Sequence, residues 1–151
     1  MGTVIDDQAV ESLARQALFD TDPRFESAHL AIVCFDGVLL LAGEVESQDM
    51  IDIAQQKVSQ LRTVRVVHNA LAVSGPISVV ARSNDVWLTT KVKTKLVADQ
   101  RIDADRIKVV TEDNVVYLMG KVPRQQADYA VETTGTVGGI SKIVKVFEYL
   151  D

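Results

Sequence analysis

The one tryptophan of this 151-residue chain, Trp87, stands four residues before Lys91 and eight before Lys95, in the stretch SNDVWLTTKVKTKL from Ser83 to Leu96. An indole can lie half in water and half in an apolar layer, and an ammonium on a four-carbon stem can reach past it to an anion. On a helix at about 100° per residue, with Ser83 or Asp85 as its N-cap, Leu88, Val92 and Leu96 recur at i, i+4 and i+8 as a core-facing stripe. Trp87 projects roughly 140° from the centre of that stripe, beside Lys91, Thr94 and Ala98, with Lys95 at the margin. An aromatic among cations on the polar side of a helix suits the boundary between lipid headgroups and acyl chains. It also suits the hot spot of a protein interface with the lysines as rim, or an indole covered by another part of the fold. Lys93 falls near the opposite flank and reads as a solvated residue.

No other residues offer comparable chemistry. His29 and His68 lack a second His or Cys at metal-ligand spacing, and Asp6, Asp7 and the other acids of the first half read as solvated surface. Gly138-Gly139 reads as a helix stop, since no GK[ST] follows. Nucleophile elbow, HExxH and Ser-His-Asp spacing are all missing, so the expectation is a non-enzyme with no cofactor, no metal and no small-molecule substrate. Cys34, in LAIVCF, reads as a buried thiol.

Composition narrows the class further. With 47% hydrophobic and 25% charged residues the chain matches ordinary soluble domains, and no apolar run approaches the roughly 18 residues of a spanning helix. The start, MGTVIDDQAV, has neither a charged n-region followed by an apolar h-region nor a lipobox cysteine. A net charge of −5 argues against a nucleic-acid partner. The charge is uneven: residues 1–81 carry 5 Lys and Arg against 11 Asp and Glu, and residues 82–151 carry 11 against 10, a net −6 and +1.

The elements that must position Trp87 are written twice. HLAIVCFDGVLLLAGEV reads as a strand, a turn at Asp36-Gly37 and a second strand ending at Gly43, and RIKVVTEDNVVYLMGKV repeats it 77 residues later. Upstream, Val10, Ala14 and Leu18 match Leu88, Val92 and Leu96 at an offset of 78; downstream, Ile51, Ala54 and Leu61 match Ala127, Ala130 and Val137 at an offset of 76. Each half then ends in a strand, VRVVHNALAV or ISKIVKVFEYL. The reading is α+β: two small tandem domains, each a three-stranded mixed sheet packed by two helices in the order helix-strand-strand-helix-strand. They span residues 1–74 and 83–151, joined by a linker or short edge strand at 75–82, where Gly75-Pro76 breaks the chain before the apolar Ile77 to Ala81.

Hairpins ending in Gly before the last Val, LLLAGEV and VYLMGKV, each followed by a helix and a hydrophobic strand, resemble a pair of BON domains across nearly the whole chain. SNDVWLTTKVKTKL followed by VTEDNVVYLMGKV is similar to the second domain of dual-BON outer-membrane lipoproteins associated with the division site of Gram-negative bacteria. The resemblance implies a periplasmic protein at the inner leaflet of the outer membrane that binds anionic phospholipid and supports envelope integrity. It implies that the lipid-facing helix runs from Asp85 to Leu96, with Trp87 at the position of the family's tryptophan and Thr89, Thr90, Lys91 and Val92 matching its neighbours; the residues expected to bind lipid are Trp87, Leu88, Thr90, Lys91, Thr94 and Lys95. The alternative is an adaptor docking an envelope protein through the Trp87 face. One departure is that the Gly-Val preceding the family's last strand is Gly139-Ile140 in the second unit but Thr63-Val64 in the first.

The repeat contains its own control. Trp87, Lys91 and Lys95 face Ala9, Leu13 and Ala17 of the first unit, which predicts a covered outer helix face there and a free one in the second.

Overall fold

A computed structural model of the chain describes residues 7–74 and 79–150. The chain divides into two compact units, Met1–Ile77 and Ser78–Asp151. In the first, α1 (Asp7–Thr21) buries Val10, Ala14 and Leu18, and the single turn α2 (Arg24–Ser27) buries Phe25. β1 (His29–Phe35) and β2 (Val38–Val45) pair antiparallel, α3 (Gln48–Ser59) crosses over, and β3 (Val66–Val73) returns parallel to β2. The second unit repeats the order with α4 (Val79–Ala98), a 3-10 turn (Ala104–Arg106), β4 (Ile107–Glu112), β5 (Val115–Val122), α5 (Arg124–Thr134) and β6 (Lys142–Tyr149). The sheets are ordered β1-β2-β3 and β4-β5-β6, each mixed, as expected.

The stripes read from the sequence are the cores. Val10, Ala14 and Leu18 pack with Leu39, Leu41 and Met50. Leu88, Val92 and Leu96 pack with Val116, Leu118 and Ala130. Both hairpins turn through two residues of positive φ, Asp36 (49°) with Gly37 (81°) and Asp113 (48°) with Asn114 (66°), the twist that a two-residue hairpin requires. The repeated glycine before the last Val has a steric cause. A Cβ on Gly43, at φ 123°, would stand 2.0 Å from the His29 carbonyl oxygen, and one on Gly120 would stand 2.3 Å from that of Arg106. Only a residue without a side chain lets the neighbouring strand come that close.

Several local readings change. β2 continues past Gly43 to Val45, paired on one side with His29 and on the other with β3. α5 stops at Gly135 rather than at Gly138-Gly139: the last α-helical bond is Gly135 N–H to Val131 O at 2.9 Å, and the next two tighten to i→i−3, Thr136 N–H to Thr133 O at 3.1 Å and Val137 N–H to Thr134 O at 3.0 Å. α4 begins at Val79, ahead of either N-cap read from the sequence, so the edge strand considered for Ile77 to Ala81 is helix from Val79 onward; Ile77 and Ser78 lie outside the described residues. Asp7 is no solvated acid: its carboxylate accepts the Asp36 N–H at 3.2 Å and the Cys34 thiol at 3.4 Å. Cys34 is buried as expected, and burial, reinforced by the Asp7 charge, pushes its thiol up to about 12.

Candidate functional site

α4 is a poor helix by intrinsic preference, since from Val86 to Val97 it carries β-branched residues at six positions, including Thr89, Thr90, Val92 and Thr94. Tertiary contacts hold it. Leu88 and Val92 are fully buried and Leu96 nearly so. Asp85, 6% exposed, lies inside the helix and accepts the N–H groups of Asp113 at 2.7 Å and Asn114 at 2.9 Å in the β4-β5 turn. The carboxylate expected to cap the helix therefore clamps it to the hairpin, as Asp7, 78 residues earlier, does in the first unit. Thr89 faces inward, its hydroxyl 2.9 Å from Asp85 O and 2.7 Å from the Thr111 hydroxyl.

With the inner side fixed, the outer side is determined. Trp87 is 54% exposed, and the Lys91 ammonium sits 4.1 Å from its ring centroid. Thr90, Lys91, Thr94 and Lys95 are exposed around it. The Thr90 hydroxyl donates to Val86 O at 3.1 Å and the Thr94 hydroxyl to Thr90 O at 2.9 Å. From Val86 to Ala98 the helix contains no carboxylate.

Of the six residues expected to bind lipid, five stand on this surface. The sixth, Leu88, is core: at 0% exposure it packs in the cluster with Val116 and Leu118. Two residues escaped the reading, Val86 at 69% and Val97 at 74% exposure. Their signal was available, because neither falls on the Leu88-Val92-Leu96 stripe and an apolar residue off the stripe has to face outward. On α1 the positions matching Trp87 and Lys91 are Ala9 and Leu13, which stand off the buried Val10-Ala14-Leu18 stripe on the outer side of the helix.

Elsewhere charge serves architecture. Arg24 pairs with Asp22 at 2.8 Å and Asp49 at 2.7 Å, tying α2 to α3. Arg101 pairs with Asp99 at 2.9 Å and Glu132 at 3.7 Å, at the corresponding place in the second unit. Among the described residues no group of three His, Cys, Asp or Glu could hold a metal, and no helix is long and apolar enough to cross a membrane.

The BON domain family matches residues 6–75 and 84–151. The chain is 36% identical over 151 residues to the protein named outer membrane lipoprotein DolP of Haemophilus influenzae, covering 99% of this chain and 78% of that protein. It is 32% identical over 149 residues to the 21 kDa hemolysin of Actinobacillus pleuropneumoniae, covering 99% and 77%. It is 31% identical over 146 residues to osmotically-inducible protein Y of Escherichia coli K12, covering 95% and 72%.

Proposed function

The chain belongs to the BON domain family, with two such domains in tandem, and from that premise we propose that it is a non-catalytic periplasmic envelope protein that binds anionic phospholipid through the outer face of α4. Its place is the inner leaflet of the outer membrane, where it supports envelope integrity; the likeness to a relative named an outer membrane lipoprotein supports this. The observation that carries the binding reading is Trp87, 54% exposed with the Lys91 ammonium 4.1 Å from its ring, on a helix face with no carboxylate.

Each lysine near an anionic surface contributes on the order of 1 kcal/mol, within a Debye length of about 8 Å at physiological salt. Lys91, Lys95 and partial burial of the indole together give about 4 kcal/mol, which is millimolar attachment. A lipid anchor, as in the lipoprotein relative, would hold the surface at high local concentration, where attachment of that strength suffices.

Vesicle co-sedimentation tests the reading. At about 0.1 M salt, where the Debye length is about 10 Å, the wild type is expected to pellet with phosphatidylglycerol-rich vesicles and not with phosphatidylcholine vesicles. Trp87→Ala and Lys91→Glu/Lys95→Glu should each abolish pelleting with the circular dichroism spectrum unchanged. A wild type that ignores both vesicle types, or binds both equally, removes the proposal and leaves α4 as a docking face for an envelope protein.

A further inference from the structure

The face around Trp87 accounts for only part of what α4 exposes. Taking Trp87 as origin at about 100° per residue, Thr94, Thr90, Val97 and Val86 follow at roughly 20°, 60°, 80° and 100° to one side, and Lys93 closes that side at roughly 120°. Lys91 and Lys95 lie at roughly 40° and 80° to the other. The two valines are among the most exposed large apolar residues of the chain, at 69% and 74%. Between Trp87 and the valines in angle lie two threonines whose hydroxyls already donate to helix carbonyls four residues back. A hydroxyl whose single proton is so engaged has none to donate to a phosphate, which only accepts, so towards an anionic headgroup each threonine counts chiefly through its methyl group.

We infer that Val86, Thr90, Thr94 and Val97 form with Trp87 a continuous apolar strip, bordered by Lys91 and Lys95 on one side and by Lys93 on the other, and that the whole strip meets the anionic lipid surface with α4 lying in its plane. This rests on the lipid reading above and makes Lys93 a third phosphate-facing cation. Charge complementarity identifies the occupant, because the strip is bordered by three cations and the helix contributes no carboxylate to it. Valines at both ends, eleven residues apart, would span about 16 Å at 1.5 Å per residue, which fits a helix lying flat better than one dipping its tryptophan alone.

One neighbour works against the arrangement. Along the Lys93 flank runs a shallow groove of about 210 Å³, walled by Val97, Ala104 and Ile107, and Asp105 lines it together with Lys93. Its carboxylate would meet the headgroup phosphates as a like charge.

The test is partition of the full chain into phosphatidylglycerol-rich vesicles, with circular dichroism as the folding control. Lys93→Gln should weaken partition about fivefold, comparably to Lys91→Gln. Val86→Asn/Val97→Asn should weaken it about tenfold, and Asp105→Asn should strengthen it. Thr90→Val/Thr94→Val should bind at least as tightly as wild type. If Lys93→Gln and the valine pair bind like wild type while Trp87→Ala does not, α4 touches lipid through one edge only and the inference fails with the lipid reading intact. If the valine-for-threonine pair loses binding, the hydroxyls serve headgroups and the apolar strip is wrong. A wild type that does not bind removes the parent reading as well.

Discussion

Two cations show how neighbours assign a residue its work. The Arg24 guanidinium lies between Asp22 and Asp49, both within 2.8 Å, and its charge is spent inside the first unit. Lys91 shares its helix face with no carboxylate and rests on an indole, a contact of about 0.5–1 kcal/mol when exposed, so leaving the ring for a phosphate costs little. The Arg24 site has a pH signature. Donation from Arg24, and then from the Ser47 hydroxyl, holds the Asp49 carboxyl at about 2, below its ordinary 3.8. A carboxyl lowered in the folded state adds stability that is fully present above 3.8 and is lost as pH falls from there towards about 2. Arg24→Gln should therefore return the Asp49 titration, followed by carboxyl NMR, towards 3.8. The stability gap between variant and wild type should close across that same acid interval. An Asp49 that still titrates near 2 in the variant would mean that Ser47 and the helix N-terminus hold it unaided.

At the scale of elements, the repeat was legible wherever geometry leaves one choice. The three-residue stripes, the two turns of positive φ and Gly43 and Gly120 admit few substitutes, and each was visible as a recurrence. What stayed hidden depends on partners far along the chain. Asp85 has the residue type and local setting of an N-cap, and only its bonds to Asp113 and Asn114, nearly thirty positions away, make it a clamp. The same blindness placed the start of α4 too late, because a helix rich in β-branched residues is held by contacts that no local pattern displays. Leu88 is a different case: its position on the stripe already marked it as core, and there it is buried. The clamp predicts that Asp85→Asn, which sets an amide NH2 against one of two backbone donors, costs about 2 kcal/mol in urea unfolding. Hydrogen exchange should accelerate first at the Asp113 and Asn114 amides. Protection that is unchanged there would show that the turn holds itself.

At the scale of the molecule, the charge imbalance between the halves bears on the membrane reading in a way that a single helix cannot. The α4 lysines attract an anionic surface, yet the chain as a whole carries −5, the balance of −6 in the first 81 residues and +1 in the rest. Which of the two a membrane feels depends on the screening length. At 0.01 M ionic strength the Debye length is about 30 Å, longer than the roughly 11 Å radius of gyration expected for a unit of about 75 residues, so the full negative charge is sensed along with the lysines. At 0.15 M it is about 8 Å, and only groups close to the lipid count. Towards 1 M, at about 3 Å, the lysines are screened too and the apolar strip acts alone. Partition into phosphatidylglycerol-rich vesicles should then pass through a maximum at intermediate salt instead of falling steadily. Neutralising acids of the first half that lie away from the two clamps, as in Asp20→Asn/Glu26→Gln/Glu46→Gln/Asp52→Asn, should raise binding at 0.01 M and leave it nearly unchanged at 0.15 M. A steady decline with salt in both proteins would mean that the lysine-bordered face dominates at every distance and that the acidic half is electrostatically remote from the bound surface.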